Sequence, residues 1–140
     1  MFRVSTQAFR RSESGVSAVE FAIIVPVLMT IVMGVLEFGM ILYTFNSSEN
    51  AARDVARRLA TNRLTTAQAS DTAKAELPGW ASPSATVTVA QSAPTDPSQN
   101  QFTVSIAIPA KSATASNFLV GLYGSVTLNS KVVLQQEIAP

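Results

Sequence analysis

Apolar and polar residues are segregated along this chain into one long uncharged run followed by shorter alternating patterns. Residues 21–36, FAIIVPVLMTIVMGVL, contain no charge, and after Glu37 the apolar character resumes up to Phe45. A helix over residues 21–45 would measure about 37 Å, against about 30 Å for the hydrocarbon core of a bilayer. The pattern therefore predicts one membrane-spanning helix.

Two other interpretations of the apolar run remain. It could be the core helix of a soluble protein, but the rest of the chain is too small and too polar to cover it on all sides. It could also be a cleaved secretory signal, since a basic stretch precedes it. Against the signal, the run is long and no convincing A-x-A-like cleavage site follows it.

The helical pattern continues beyond the apolar run. Residues 46–63, NSSENAARDVARRLATNR, carry a narrow stripe of small and aliphatic residues on one face, formed by Ala52, Val55, Ala56, Leu59 and Ala60. Arg53, Asp54, Arg57 and Arg58 occupy the other faces. They favour either a solvated surface with local ion pairs, or contact with anionic headgroups or a partner. A second, alanine-rich helix is predicted at residues 66–77, before Pro78 and Gly79.

Alternating patterns then predict strands, each with one apolar face. A polar loop at residues 91–101 separates the first two strands, which we expect to form a long-looped hairpin. Residues 116–124, SNFLVGLYG, are interpreted as a short helix or a docking loop, and Trp80 as a packing or interface residue. The apolar faces comprise Ala85, Val87 and Val89; Phe102, Val104, Ile106 and Ile108; and Val126, Leu128, Val132, Leu134 and Ile138.

Together these elements predict an α+β fold. A long hydrophobic, transmembrane N-terminal helix continues into an amphipathic helix and is followed by a small, mostly antiparallel β-sheet domain. The expected organisation is a basic leader at 1–15, a transmembrane helix at 16–45, an exported helical extension at 46–77, and a small exported β-containing domain at 78–140.

Composition limits the chemistry that the chain can perform. Ten basic and nine acidic residues give a net charge of +1, which indicates neither a nucleic-acid binder nor an acidic tail. With no Cys and no His, the chain lacks disulfides, thiolate or imidazole metal ligands, and a Ser-His-Asp triad. The scattered carboxylates match no calcium loop. We therefore expect no enzyme, no cofactor, no metal and no small-molecule substrate.

The distribution of arginines bears on orientation. No lysine or arginine occurs in residues 12–52, and the flanking counts are nearly equal. We favour a cytoplasmic N-terminus because a leader this short offers little to translocate. The arginines compared are Arg3, Arg10 and Arg11 before the span and Arg53, Arg57, Arg58 and Arg63 after it.

The junction between leader and span combines a glycine with an early carboxylate. Gly15 ends the leader, and Glu20 is the only charge in the first turns of the apolar helix. A carboxylate there is unfavourable, by about 2.5–3.5 kcal/mol at the bilayer centre and by less near an interface. Cleavage after Gly15 would give Val16 a free amine about one helical turn from Glu20, so that the two charges could pair within or between subunits.

A short basic leader, Gly15, Glu20 as fifth residue of the mature chain, Phe21 and an apolar helix resemble prepilins. The run from SGVSAVEF to NAARDVAR, within residues 10–60, resembles the TadE-like pseudopilins of tight-adherence (Flp-type) pilus systems. This resemblance implies a minor pseudopilin needed for pilus assembly. It also implies an inner-membrane, single-pass protein whose C-terminal domain is periplasmic or extracellular, and whose partners are membrane lipid, other pilins or pseudopilins and the assembly machinery.

The same resemblance implies roles for individual residues. A prepilin peptidase would cut between Gly15 and Val16, and Glu20 with Phe21 would serve processing and assembly. Glu37 is a candidate second membrane carboxylate, near the opposite interface or paired within the membrane. Pro26 is a candidate helix kink.

Two further functions are weighed against the pseudopilin. An uncleaved single-pass anchor with an exported partner-binding domain would make Glu20 a tolerated interfacial residue. An enzyme is the third interpretation, although the sequence shows no acid-base or nucleophile constellation.

Overall fold

The computed structural model of the chain describes the backbone of residues 13–138 and the side chains of residues 16–138. Leader residues 1–12, with Arg3, Arg10 and Arg11, lie outside this range. The elements in chain order are α1 (Glu13–Ala60), α2 (Thr66–Ala75), β1 (Thr86–Gln91), β2 (Gln101–Pro109), α3 (Val120–Tyr123) and β3 (Thr127–Gln135). The chain divides into two compact units, residues 1–35 and 36–140.

Within the described residues, the first unit consists of the N-terminal part of α1, residues 13–35. Its apolar side chains are exposed, as at Phe21 (69%) and Ile23 (67%), and none of its most apolar window is buried. By length and composition this helix can cross a membrane, and among the described residues no other helix meets that criterion. The long apolar N-terminal helix is therefore confirmed.

Helix α1 ends in a hydrogen-bonded left-handed turn at Asn62, whose φ is 57°. The N–H of Arg63 donates to the carbonyl of Arg58 at 2.8 Å, and the N–H of Asn62 donates to that of Leu59 at 3.0 Å. This pattern is a Schellman motif, which satisfies carbonyls that the last turn of a helix leaves free. The Glu137 N–H donates to the Ala60 carbonyl at 2.9 Å, so the segment after β3 also closes the helix end.

The second unit contains a three-stranded antiparallel sheet in the order β1-β2-β3. Val104 of the central strand lies opposite Val89 on one side and Val132 on the other. Strand β2 alternates strictly, with its even-numbered side chains from Phe102 to Ile108 buried. The α+β class, the hairpin formed by β1 and β2, and the short helix within residues 116–124 are confirmed.

The core of this unit joins α1, α2 and the sheet in one apolar cluster. The stripe predicted on α1 is buried, since Ala52, Val55 and Ala56 are each 0% exposed. These residues belong to the same cluster as Ala73 of α2 and Ile106 of β2. Small side chains on α1 and α2 leave room for the branched side chains of the sheet, which favours close packing of helix on sheet.

The predicted apolar face of β3 is wrong at its two ends, Val126 and Ile138. Leu134 pairs with the buried Phe102 and so lies on the predicted side, although it is partly exposed. Leu128 and Val132 pack against the core, but Val126, Leu134 and Ile138 are 50%, 36% and 66% exposed. Val126 and Ile138 lie outside the strand, where alternation no longer fixes which way a side chain faces. Helix α2 also ends at Ala75, two residues before the predicted end, although Leu77 is buried.

Replacing Ile106 by Ala tests the position of the core. Ile106 is 1% exposed, so we expect the free energy of unfolding to fall by about 2–5 kcal/mol. The matched change Ile138→Ala, at a side chain that is 66% exposed, should cost less than about 0.5 kcal/mol. Unfolding of the full chain in detergent micelles can be followed by fluorescence of Trp80, the single tryptophan. If both variants lose the same free energy of unfolding, Ile106 does not lie in the core.

Candidate functional site

The junction that resembles a prepilin cleavage site lies at the start of α1. Gly15 is the third residue of the helix, and Val16 and Glu20 follow on exposed positions one turn apart. The N–H groups of a first turn have no partner within the helix, so this turn can unwind at little cost. The peptide bond from Gly15 to Val16 therefore lies in the least firmly hydrogen-bonded turn of α1.

Phe21 and Pro26 lie further along the same exposed helix. Phe21 is 69% exposed. Helix α1 continues through Pro26, whose carbonyl accepts a hydrogen bond from the Thr30 hydroxyl at 2.8 Å. Serine and threonine hydroxyls in apolar helices often satisfy backbone groups in this way.

Glu37 lies in the second unit, where its side chain is only 1% exposed. Its Oε2 accepts a hydrogen bond of 2.7 Å from the backbone N–H of Leu119. Its Oε1 accepts another from the hydroxyl of Tyr123. A buried carboxylate needs such donors, and bonds to a charged acceptor are stronger than neutral ones. Glu37 thus fastens both ends of α3 to α1.

Two more polar side chains on the same face of α1 extend this attachment. The Thr44 hydroxyl donates to the carbonyl of Ala113 at 2.7 Å, and the Ser48 and Ser130 hydroxyls are 2.6 Å apart. Thr44 and Ser48 are fully buried. The segment between β2 and β3 is therefore hydrogen-bonded to α1 at Thr44 and at Glu37, two helical turns apart.

Trp80 adds a third group to the contact between Thr44 and Ala113. Its indole N–H lies 3.2 Å from the Thr44 hydroxyl oxygen and 3.3 Å from the Ala113 carbonyl oxygen. Its ring is 42% exposed and lies 6.2 Å from that of Tyr43. Trp80 is therefore both a packing residue and part of the surface, as the sequence predicts.

The arginines after the span form a charged surface near the end of α1. Arg53 pairs with Glu49 at 3.0 Å, and Arg58 pairs with Asp54 at 2.6 Å. The interpretation of this surface as one with local ion pairs is confirmed for these two arginines. An open cleft of about 650 Å³ lies here, lined by Asp54, Arg57, Arg58, Thr61, Arg63 and Glu137.

The sequence identified Glu37 but not its partners, and it missed Thr44 and Ser48. The buried stripe on α1 extends upstream at the same helical period, through Ser48 and Thr44 to Glu37. That spacing was the available signal. It was hidden because Thr44 is the only strongly polar side chain in residues 38–45, and hydropathy does not distinguish a lipid-facing side chain from one that contacts the domain.

The bond to Glu37 changes the titration of Tyr123. Burial, the hydrogen bond to Glu37 and the negative charge of Glu37 together raise the pKa of Tyr123 from its usual 10.0 to about 12. The folded state therefore prefers the protonated phenol. The protonated phenol therefore contributes to the free energy of unfolding. This contribution is fully present below about pH 10 and is lost as the pH rises towards 12.

Replacing Glu37 by Gln should lower the pKa of Tyr123, because the charge is removed while burial and a neutral acceptor remain. We expect a value between 10 and 12, read from the phenolate absorbance of the full chain. A Tyr43→Phe background leaves Tyr123 as the only tyrosine. The control Glu49→Gln removes a carboxylate that is paired with Arg53 instead, and should leave the titration unchanged. If the Tyr43→Phe protein and its Glu37→Gln and Glu49→Gln variants all titrate identically, Tyr123 does not contact Glu37.

The comparisons with known proteins bear on α1 alone. The family model described as TadE-like protein matches residues 15–57, from the junction glycine to the arginine-bearing turns near the end of the helix. No curated protein and no solved structure matches the chain significantly. The match covers the segment from which the sequence predicted this family. Residues 15–57 are therefore a TadE-like segment, and the family resemblance is confirmed.

Proposed function

We propose that the chain is a minor pseudopilin of a tight-adherence (Flp-type) pilus system, cut by a prepilin peptidase between Gly15 and Val16. The observation that carries this proposal is the TadE-like match, which begins at Gly15 and includes Glu20 and the exposed apolar helix. The role is structural rather than catalytic. Its partners are other pilins or pseudopilins, the prepilin peptidase, the assembly machinery and the lipid of the inner membrane.

The membrane span is proposed to occupy residues 16–36, which is shorter than the 16–45 expected from hydropathy. A helix of this length measures about 31 Å, close to the hydrocarbon thickness of about 30 Å. The support comes from Glu37, Thr44 and Ser48, which are buried within the second unit. A helix face that is covered by protein from residue 37 onwards is not available to acyl chains.

The proposed role of Glu20 follows from its depth in this span. With Val16 at the membrane surface, Glu20 lies about 6 Å further along the helix, and its position is exposed. The amine created on Val16 by cleavage lies one turn away on the same face. Pairing with that amine, or with the amine of an axially displaced neighbour, removes the cost of two unpaired charges in an apolar medium.

The orientation is proposed as N-terminus in the cytoplasm and second unit on the outer side of the inner membrane. Arg53 lies sixteen residues beyond Glu37, or about 24 Å along a straight helix. Each headgroup layer is only about 5–8 Å thick. The arginines from Arg53 onwards therefore lie beyond the headgroups. Arg57, Arg58 and Arg63 are more than twenty residues from the proposed end of the span, outside the stretch in which charges set topology, so only Arg53 still counts against the three leader arginines.

Processing gives a specific mass. In membranes that contain a prepilin peptidase, the chain should lose residues 1–15 and begin at Val16, as intact mass or N-terminal sequencing will show. Gly15→Val should block this loss. The matched change Gly39→Val, where an added Cβ meets no atom within 4 Å, should leave processing intact. A wild-type chain that still begins at Met1 would favour the uncleaved anchor with an exported partner-binding domain.

Glu20→Gln separates assembly from insertion. The neutral amide removes the partner of the Val16 amine, so we expect filament recovery to fall about tenfold, equivalent to about 1.4 kcal/mol per subunit contact. The amount of membrane-inserted protein should not fall, because a neutral residue enters the bilayer more easily. Glu49→Gln, on the part of α1 beyond the span, is the control. Normal filament recovery with Glu20→Gln would show that this carboxylate has no assembly role.

A further inference from the structure

We propose that the α3 segment (residues 116–124) is a second membrane contact, which inserts Phe118 and Leu122 into the interfacial layer of the bilayer that holds the span. This inference rests on the proposed span at residues 16–36. It adds to that proposal a lipid-binding surface on the domain itself.

The exposure of α3 is the first observation. Leu122 is 82% exposed, the highest value among the exposed large hydrophobic side chains of the described residues, and Phe118 is 54% exposed. Leu122 lies on α3, and Phe118 lies four residues earlier in the turn that precedes the helix. A soluble domain gains nothing by holding two large apolar side chains in water on an ordered segment, so such a surface normally marks an interaction site.

The attachment of α3 fixes where this surface lies. Leu119 and Tyr123, the residues that follow Phe118 and Leu122, are the two that bond to Glu37. Glu37 comes directly after Leu36, the last residue of the proposed span. The backbone that carries the two exposed side chains is therefore held at Glu37, one residue beyond the proposed end of the span.

The chemistry of the surrounding sequence fits lipid. Residues 112–130 carry no charge, and Lys111 and Lys131 flank them. Insertion of α3 therefore desolvates no ionised side chain, and Lys111 is exposed, so its amine can reach the phosphates. One backbone donor at the start of α3, the Leu119 N–H, is already satisfied by its hydrogen bond to Glu37.

Two exposed aromatic residues, Tyr43 and Trp80, lie on the water side of α3. Tyr43 and Trp80 are 58% and 42% exposed, and Tyr43 lies six residues, or about 9 Å, beyond Glu37. Trp and Tyr concentrate at the membrane-water interface, where an apolar ring and a polar group are both satisfied. The indole N–H of Trp80 is already bonded near Thr44, so the exposed part of its ring carries no unpaired polar group.

The position of α3 favours lipid, rather than a second copy of the chain, as the partner that covers it. Within the second unit, the helix residues Leu36 and Phe38 on either side of Glu37 are also exposed, so a bilayer that surrounds Leu36 also reaches the groups bonded to Glu37. A second copy of the chain would cover α3 only after assembly, whereas the bilayer is present around every inserted subunit.

Site-directed spin labelling tests this contact, because the chain contains no cysteine and each label is unique. The full chain carrying Phe118→Cys or Leu122→Cys is reconstituted in vesicles of phosphatidylethanolamine and phosphatidylglycerol. Val133→Cys, at a 47% exposed position on β3, is the water-exposed control, and Leu28→Cys is the reference within the span. Accessibility is measured to oxygen, which concentrates in lipid, and to a nickel chelate, which stays in water.

We expect the oxygen-to-nickel accessibility ratio at 118 and 122 to exceed that at 133 several-fold, and to lie below that at 28. A ratio at 118 and 122 equal to that at 133, with 28 in lipid, would overturn this inference while leaving the span intact. A water-exposed label at 28 would instead overturn the span proposal itself. If the labels at 118 and 122 are shielded only when labelled protein is undiluted, they contact a second copy and the lipid assignment fails.

Discussion

The carboxylate of Glu37 accepts hydrogen bonds from the Leu119 N–H and the Tyr123 hydroxyl at the point where α1 changes its surroundings. Up to Leu36 the helix exposes apolar side chains on every side; from Glu37 onwards one face is covered by the domain. A buried carboxylate is stable only with its donors in place, so the position of α3 and the start of the domain are coupled. The packing of Thr44, Ser48 and the alanine stripe continues this face towards the sheet.

Much of the fold follows from periodicity. The stripe at Ala52, Val55 and Ala56 and the strict alternation of β2 predict buried faces that the structure confirms, because a helix of period 3.6 and a strand of period 2 each have one side to cover. The third strand was predicted less well. Its central buried residue, Ser130, is polar and bonds to Ser48, and its flanking Val126 and Ile138 lie beyond the strand. A pattern search that counts only apolar residues cannot identify such a face.

The candidate site was predictable in its residue types and not in its contacts. Gly15 and Glu20 stand out because a prospective amine and a carboxylate are one turn apart, and the family match includes both. Glu37 also stands out as a charge in an apolar run. That its donors come from residues 119 and 123 could not be predicted, since they are more than eighty residues away and only the fold brings them together. Apolar residues occupy both the exposed part of α1 and the part packed on the domain, which is why hydropathy predicts a span up to Phe45 whereas the proposed span ends at Leu36.

The hydrogen bonds at the far end of α1 have a mechanical consequence. Ser48 is joined to Ser130 and Ala60 to Glu137, so α1 and β3 advance in the same direction along each other. In the proposed filament, a subunit would bear tension along its N-terminal helix. Such a pull would load the helix-sheet interface in shear, with the Ser48 and Ala60 contacts resisting together, whereas a peeling geometry would break them in succession. The antiparallel ladder between β2 and β3 then distributes that load across the sheet.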